Sequence, residues 1–260
     1  MKLIGRTVLI TGGSSGIGFE LARQLIEKGN TVIVTGRDQA RLDETRQLLP
    51  SVHTMQSDAR DPEDIHALFL AVTRQFPALD TLVNNAGVMR NIRLAEERAL
   101  TDLTEEIDIN LNGPLRMIQQ FLPFLLKQPQ GLIVNVSSGL AFVPFPAAPV
   151  YSASKAALHA YTQCLRAQLA HSTVTVMELA PPGTETPLFR GEFAKEMHNE
   201  KGMDVQLMVK RAIRGIEAGK QEIRPGLSNV LKVASRVAPN LMFGQMIRLS
   251  QFNSTPDSGC

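Results

Sequence analysis

The chain has 260 residues, 43% hydrophobic and 20% charged, a balance typical of one globular α/β domain with its own core. Its net charge of +2 is too small to indicate a nucleic-acid or strongly acidic partner. The two cysteines lack metal-ligand spacing, so we expect no metal site and no disulfide framework, and Cys164 is expected to be a small core residue. Because there is no signal-peptide pattern and no apolar run of about 18 residues, a cytoplasmic protein without a spanning segment is expected.

Strands and helices alternate along the chain. Apolar β-branched runs predict strands at Thr7–Thr11, Thr31–Thr35, Val52–Ser57, Thr81–Asn84, Leu132–Ser137 and Val174–Leu179. Helical patterns between them predict helices at Ile17–Lys28, Gln39–Leu48, Pro62–Gln75, Glu105–Lys127 and Tyr151–Ala170. A weaker helix is expected at Val205–Ala218 and a short strand at Gln221–Arg224. This alternation predicts an α/β fold with a single doubly wound parallel sheet, of Rossmann type, and helices on both faces.

A glycine-rich turn connects the first predicted strand to the first helix. Thr11–Gly18 reads T-G-G-S-S-G-I-G, and glycines there allow backbone N–H groups to approach a pyrophosphate. The helix N-terminus adds partial positive charge at the same point. The spacing differs from that of a P-loop, so the turn predicts a dinucleotide cofactor.

Tyr151 and Lys155 are four residues apart in a predicted helix, so their side chains share one face. An ammonium beside a phenol favours the phenolate and lowers a pKa that starts near ~10. The pair therefore predicts a tyrosine general acid or base. His159, one turn further on, is expected at the surface or in a subunit contact.

Six motifs, in this order and at these separations, carry a resemblance to a known family. They are T-G-G-S-S-G-I-G (Thr11–Gly18), N-N-A-G (Asn84–Gly87), I-N-L-N-G with Asn110, N-V-S-S (Asn135–Ser138), Y-S-A-S-K (Tyr151–Lys155) and P-G-T-E-T (Pro182–Thr186). The chain resembles the short-chain dehydrogenase/reductase family, in its shorter-length branch. N-V-S-S-G-L-A-F-V-P and L-A-P-P make it most similar to a bacterial subgroup related to the oxidoreductase encoded beside teichoic-acid D-alanylation genes.

The resemblance implies a catalytic tetrad and an oxidoreductase activity. Tyr151 would transfer the proton, Lys155 would lower the pKa of Tyr151 and bind the nicotinamide ribose, and Asn110 would hold a water that connects Lys155 to solvent. Ser138 would hydrogen-bond the reacting oxygen; it precedes Tyr151 by thirteen positions, the family's usual separation, and is therefore preferred to Ser137. Nicotinamide itself would carry the hydride to or from a carbonyl or secondary alcohol.

The resemblance also implies the cofactor contacts. Besides Tyr151 and Lys155 these are Gly12, Ser14, Ser15, Gly16, Ile17, Gly18, Arg37, Asp58, Asn85, Ala86, Gly87, Pro182, Gly183 and Thr186. The second strand ends in Gly36-Arg37 where NAD-specific folds usually place an acid, which favours NADP(H) and leaves NAD(H) as the alternative. Asp38 follows, and it is expected to cap the next helix if it does not bind the ribose.

On the substrate side, the family builds its pocket after the fourth, fifth and sixth strands. The residues at those positions are mostly apolar, which predicts an apolar carbonyl or alcohol: Val88, Met89, Arg90, Leu140, Phe142, Val143, Phe145, Leu188 and Phe189. Arg90 and Arg93 could recognise an acidic group, although solvated arginines are the preferred interpretation. Residues 190–203, within a substrate loop near 187–203, are expected to form a mobile lid.

The domain prediction divides the chain near residue 225. Residues 1–225 would form the dinucleotide-binding catalytic domain, and residues 226–260 a C-terminal extension with disordered last residues. Leu227–Leu249 would pack on the domain or a partner subunit; the alternative is an amphipathic membrane-surface element. A homodimer through the helices at Glu105–Lys127 and Tyr151–Ala170 is expected, with a homotetramer as the alternative.

Two rivals to this enzyme remain from the sequence. One is a cofactor-binding regulator with little catalysis, against which the intact tetrad argues. The other is a nucleotide-sugar epimerase, which can share Y-x-x-x-K but tends to have a longer C-terminal substrate domain and a different glycine spacing.

Overall fold

Seven parallel strands form one sheet in the computed structural model, which describes residues 2–193, 196, 198 and 200–250. The strands lie in the order β3-β2-β1-β4-β5-β6-β7, with the change of direction between β1 and β4. Their bounds are β1 Thr7–Thr11, β2 Thr31–Gly36, β3 His53–Gln56, β4 Leu79–Asn84, β5 Gly131–Val136, β6 Val174–Leu179 and β7 Glu222–Ile223. The predicted fold class is confirmed, because helices cover both faces of this doubly wound sheet.

Helices connect the strands and bury the sheet. They are α1 Gly16–Glu27, α2 Gln39–Leu48, α3 Pro62–Gln75, α4 Leu100–Ile107, α5 Gly113–Leu125, α6 Pro149–Gln168, α7 Pro187–Arg190, α8 Val205–Glu217, α9 Leu227–Val237 and α10 Pro239–Leu249. One core lies between the sheet and α1 and α8, and the other between the sheet and α3, α5 and α6. The apolar face of each helix follows from its periodicity, so most helix bounds agree with the sequence to within a few residues.

The single long helix expected at Glu105–Lys127 is wrong in detail. The chain forms α4 from Leu100, then a π-helical turn at Asp108–Asn112, and then α5 from Gly113. A π-turn inserts one extra residue into a helix and is frequent at functional sites. Here it contains Asn110, whose amide bonds to a neighbouring loop rather than pointing along the helix face.

Two helices, α9 and α10, occupy the C-terminal extension and pack beside the cavity described below. Leu231, Lys232 and Met246 are buried there, and Leu231 and Met246 belong to a third apolar cluster that also contains Phe145 and Tyr151. Within the residues that the structure covers, no helix is both long and apolar enough to cross a bilayer. Residues 194, 195, 197 and 199 of the predicted lid, and the predicted disordered end at 251–260, lie outside the described residues.

Candidate active site

A cavity of about 860 Å³ opens at the carboxyl ends of the strands, beside the change of direction between β1 and β4. In doubly wound sheets this crevice is where ligands bind. The predicted catalytic and cofactor residues line its wall, with the exceptions of Asn110 and Gly18. A Cβ at Gly18 would lie 2.3 Å from the carbonyl oxygen of Gly12, so Gly18 permits close packing behind the wall.

The first turns of α6 present Tyr151 and Lys155 to this cavity from one helix face. Both side chains are buried, with 7% and 3% of their surface exposed. The Lys155 Nζ donates to the carbonyl oxygen of Val136 at 2.9 Å, at the end of β5. It also lies 5.7 Å from the centre of the Tyr151 ring. The sheet therefore fixes the lysine beside the tyrosine, as the spacing predicts.

Burial shifts the pKa values of Tyr151 and Lys155 in the directions that favour the uncharged phenol and the uncharged amine. It raises the pKa of Tyr151 to about 12, a rise to which Glu106 adds and against which a hydrogen bond with Ser138 acts. Burial likewise lowers the pKa of Lys155 to about 8. The lowering of the tyrosine pKa that the pairing with Lys155 predicts is therefore not found in this structure, in which burial is the largest cause of the shift. At neutral pH Tyr151 is a phenol, the form that donates a proton.

Asn110 lies behind the cavity wall and fixes the loop that follows β4. Its Oδ1 accepts from the Val88 N–H and its Nδ2 donates to the Val88 carbonyl oxygen, both at 2.9 Å. Its Nδ2 also donates to Ser154 Oγ at 3.2 Å, which connects the π-turn to α6. A Cβ at Gly87 would lie 3.2 Å from Asn110 Oδ1 and 3.4 Å from Lys155 Nζ, so both side chains border Gly87.

The two serines after β5 face different surroundings. The hydroxyl of Ser138 accepts from the Leu140 N–H at 3.1 Å, and Ser138 lines the cavity near enough to Tyr151 to act against the rise in its pKa. Ser137 instead donates to the Glu178 carboxylate in the interior. This placement favours Ser138, rather than Ser137, as the serine beside the reacting oxygen.

Hydrogen bonds between residues far apart in the chain fix the glycine turn to the loop after β4. Thr11 Oγ1 accepts from the N–H groups of Asn85 and Ala86 at 3.0 Å, and Asn85 Nδ2 donates to the carbonyl oxygens of Thr11 and Gly12. Gly12 has φ of 64°, and its Cβ would lie 2.8 Å from Ala86 Cα. The Ser15 side chain does not cap α1, so the first amides of the helix meet the cavity. These features fit the pyrophosphate of a dinucleotide.

Basic and acidic residues after β2 and β3 form the remaining cofactor wall. Asp38 Oδ1 accepts from the Arg41 N–H at 3.2 Å and so caps α2, as one of the two sequence interpretations expected. Arg37 lines the cavity beside it. The hydrogen bonds and charge of Arg60, 2.7 Å away, outweigh burial and hold the pKa of Asp58 below its ordinary value.

Apolar side chains surround the cavity near Tyr151. Six of the predicted substrate residues line it: Val88, Met89, Leu140, Phe145, Leu188 and Phe189. Phe142, Val143 and Arg90 do not. Arg90 pairs with Asp102 at 2.6 Å and is mostly buried, so neither substrate recognition nor a solvated surface describes it. The helices α9 and α10 add apolar residues that the sequence did not assign to the site, Leu227, Leu231, Met246 and Leu249.

Glu106 is a buried acid near the site that the sequence analysis missed. Its Oε1 accepts from the Arg90 N–H at 2.9 Å, and its Oε2 has no hydrogen-bond partner among the described residues. Burial raises the pKa of Glu106 to about 7, although the Arg90 N–H and the charge of Arg90 act against the shift. Its position four residues before Asn110, one helical turn away, is the only signal for it in the sequence.

Two further predictions concern single residues. His159 is mostly buried rather than solvated, because its Nδ1 lies 2.7 Å from an oxygen of the buried Glu178, and the alternative of a subunit contact stays a prediction. Cys164 is exposed on α6 rather than placed in the core.

Residues 6–197 match the family model described as short chain dehydrogenase. The chain is 42% identical over 248 residues to the uncharacterized oxidoreductase DltE of Bacillus subtilis, covering 95% of this chain and 98% of that protein. It is 34% identical over 191 residues to an uncharacterized oxidoreductase of Staphylococcus epidermidis, covering 73% and 83%.

Solved structures of similar fold include cofactor complexes. A short chain dehydrogenase from Burkholderia cenocepacia in complex with NADP has a TM-score of 0.81 at 25% identity, covering 95% of this chain and 99% of that one. A short chain dehydrogenase/reductase from Burkholderia phymatum in complex with NAD has a TM-score of 0.82 at 21% identity, covering 91% and 95%.

Proposed function

We propose that this chain, which belongs to the short-chain dehydrogenase/reductase family, transfers a hydride between NADP(H) and an apolar carbonyl or secondary alcohol, with Tyr151 as its general acid and base. Membership confirms the resemblance seen in the motifs, and the chain is an oxidoreductase with a nicotinamide cofactor. The observation that carries the finer proposal is the buried Tyr151–Lys155 pair, with Ser138 beside it, in the wall of the cavity that also contains the glycine turn.

The bound nicotinamide supplies or accepts the hydride, and the protein places the carbonyl and manages the proton. Tyr151, a neutral phenol at neutral pH, donates a hydrogen bond and then its proton to the carbonyl oxygen as negative charge develops there. The Ser138 hydroxyl adds a second hydrogen bond to the same oxygen. In the oxidative direction Tyr151 must first lose its own proton through Lys155; the resulting phenolate then accepts the proton of the alcohol, while Ser138 hydrogen-bonds the same oxygen.

Lys155 and Asn110 restore the proton on Tyr151 after turnover. With a pKa lowered to about 8 by burial, Lys155 exchanges protons readily near neutral pH. Asn110, which borders Gly87 together with Lys155, would hold the water through which that proton arrives. This water path is taken from the resemblance and is a proposal for this chain.

The preference for NADP(H) rests on the loop after β2. Arg37 lines the cavity there, and the only nearby acid of that loop, Asp38, is engaged in capping α2. A guanidinium attracts the 2′-phosphate of NADP, and the absence of an acid at Gly36 removes a repulsion. Among the structural relatives one holds NADP and another NAD, so the choice depends on these residues.

The proposal is tested by NADPH and NADH oxidation with purified protein against a panel of apolar ketones and aldehydes. We expect turnover of at least one apolar ketone, with kcat/KM for NADPH at least about tenfold above that for NADH. Cofactor binding without turnover of any carbonyl or of any matching alcohol would instead favour a regulator. A preference for NADH would remove Arg37 as the selector.

A further inference from the structure

A buried polar cluster lies behind the substrate end of the cavity and joins five parts of the fold. It contains two carboxylates, a lysine, a histidine and a serine. We name it the acid–lysine cluster, and its members are Ser137 after β5, His159 on α6, Glu178 on β6, Glu222 on β7 and Lys232 on α9.

Glu178 is the centre of one half of the acid–lysine cluster. Its side chain is 1% exposed, and its two oxygens are engaged by the Ser137 hydroxyl and by His159 Nδ1, the latter at 2.7 Å. Ser137 directly precedes Ser138, the serine of the proposed reaction. The cluster therefore touches the backbone that carries a residue of the active site.

Lys232 is the centre of the other half. Its Nζ donates to Glu222 Oε2 and lies 5.1 Å from the centre of the Phe142 ring, while the lysine side chain is 8% exposed. The same ring meets His159 edge-on at 5.1 Å between centroids. Burial acts to raise the pKa of Glu222, but Lys232 and Arg224 hold it below its ordinary value. A charged lysine placed in this interior is stabilised only while its carboxylate partner remains in contact.

A metal ion is the alternative occupant of this cluster. Ligand atoms of His159, Glu178 and Glu222 all lie within 4.8 Å of one another. However, the ammonium of Lys232 and the guanidinium of Arg224, 3.2 Å from Glu222 Oε2, already supply positive charge at that point. The cluster is thus complete with cations from the chain itself.

The helix that carries Lys232 also forms a wall of the cavity. Leu231, its neighbour on α9, is 6% exposed, lines the cavity and lies 3.1 Å from where a Cβ of Gly139 would be. Met246, from α10, lines the same wall, and both belong to the apolar cluster that contains Tyr151. The contact between Lys232 and Glu222 is the only polar side-chain contact between α9 and the sheet among the described residues.

We propose that Lys232 is a positioning residue: by binding Glu222 it fixes α9 to the sheet and holds Leu231 and Met246 as the wall that receives an extended apolar substituent of the substrate. This inference rests on the proposed function, since it assigns part of the substrate pocket of that same site. The substrate class it implies is a carbonyl compound whose chain extends from the reacting carbon toward α9.

The experiment compares Lys232→Met with Arg224→Met. Methionine keeps the unbranched stem of Lys232 and removes the ammonium. Arg224→Met removes a cation from the same carboxylate, Glu222, without removing a contact of α9. Hydrogen exchange of the α9 amides, NADPH affinity, and KM and kcat for straight-chain methyl ketones from butanone upward are measured for both variants and for Lys232→Arg.

For Lys232→Met we expect faster exchange in α9 and a KM for the longest ketones raised roughly tenfold, as for loss of an apolar pocket contact. Butanone, which can offer the wall no more than an ethyl group, should show a KM and a kcat within about twofold of the wild type, and NADPH affinity should not change. Arg224→Met should resemble the wild type, and Lys232→Arg should restore most of the lost affinity for long ketones.

Several results would overturn the assignment. Equal loss for short and long ketones, or a change in kcat alone, would mean that Lys232 does not position a substrate wall. If the α9 amides of Lys232→Met exchange at the wild-type rate, Lys232 does not anchor α9. If the wild-type chain binds one Zn²⁺ and His159→Ala does not, the acid–lysine cluster is a metal site. If the wild type turns over no ketone, the proposed function fails, whereas the exchange measurement still decides whether α9 is anchored.

Discussion

At the residue scale, the reaction depends on how burial sets the protonation of three neighbouring groups. Tyr151 and Lys155 are shifted toward the phenol and the amine, and Glu106 toward the protonated carboxyl, with pKa values of about 12, 8 and 7. Each shift has desolvation as its largest cause. At neutral pH Tyr151 is therefore a phenol while Lys155, with a pKa of about 8, remains mostly an ammonium, so the proton donor and a second proton source lie side by side.

Glu106 gives a pH-dependent test of this burial. Its folded-state pKa of about 7 lies above the ordinary value of 4.5, so between those pH values the folded state binds more protons than the unfolded state. The free energy of unfolding therefore falls as pH rises from about 4.5 to about 7, and above pH 7 the ionised Glu106 destabilises the folded state in full. Glu106→Gln keeps an acceptor for the Arg90 N–H without the charge. We expect it to stabilise the protein by roughly 2 kcal/mol at pH 8 and by much less at pH 5, in urea denaturation.

If the difference in the free energy of unfolding between Glu106→Gln and the wild type is the same at pH 5 and pH 8, Glu106 does not titrate between these pH values. As a control, Glu27→Gln changes an exposed glutamate on α1, and it should alter stability by less than about 0.5 kcal/mol at either pH.

The site residues that the sequence identified are those with local signals. Tyr151 and Lys155 stand out by helical spacing, and Gly12 by its place between a strand and a helix. The direction of the tyrosine pKa shift was predicted wrongly, because sequence shows the neighbouring ammonium but not the degree of burial. Contacts between residues far apart in the chain, such as that between Lys232 and Glu222, have no local pattern and appear only in three dimensions.

At the element scale, the sheet and its helices were predictable because each has a clear hydrophobic period. The π-turn between α4 and α5 was not, since it depends on the bonds that Asn110 makes to Val88 rather than on periodicity. The helices α9 and α10 were equally hidden. The apolar segment Leu227–Leu249 was expected to pack on the domain or a partner, but its division into two helices was not predicted, and Val230, Val233 and Leu241 stay exposed in the single chain.

The turn before α1 is the element whose geometry is most constrained. Gly12 and Gly29 both have positive φ, 64° and 79°, so alanine at either position costs about 1 kcal/mol in backbone strain. At Gly12 the added Cβ would also lie 2.8 Å from the Ala86 backbone, whereas at Gly29 it would meet nothing within 4 Å.

We therefore expect Gly12→Ala to lower the free energy of unfolding by roughly 3 kcal/mol and to weaken NADPH binding at least tenfold. Gly29→Ala serves as the matched control, with loss of about 1 kcal/mol and unchanged NADPH affinity. Denaturation curves and fluorescence titration with NADPH measure both quantities. Equal effects of the two substitutions would argue against close packing of the turn on the loop after β4.

At the scale of the whole molecule, we propose a homodimer formed through α5 and α6 and the segments beside them. Leu100 and Leu126, at the two ends of the segment that contains α4 and α5, are exposed apolar residues in the single chain. Light scattering should give a mass twice that of one chain, and Leu126→Glu should shift it toward that of the monomer. A wild-type monomer at micromolar concentration would exclude the dimer, and a fourfold mass would replace it by the tetramer.

The division of the molecule into a cofactor half and a substrate half follows from the sheet. The loops after β1, β2 and β3 supply the glycine turn, Arg37 and Asp58, and those after β4, β5 and β6 supply the substrate wall, completed by α9 and α10. Tyr151 lies in the wall shared by the two halves. The proposed reaction therefore depends on proton transfer by Tyr151.

The most direct measurement is steady-state NADPH oxidation with an apolar ketone by the wild type and by Tyr151→Phe, together with the NADPH dissociation constant of each. Phenylalanine keeps the packing of the ring and removes only the hydroxyl. We predict that kcat/KM falls by about a thousandfold or more while the dissociation constant for NADPH stays within a few-fold. Turnover by Tyr151→Phe at a rate close to that of the wild type would contradict it.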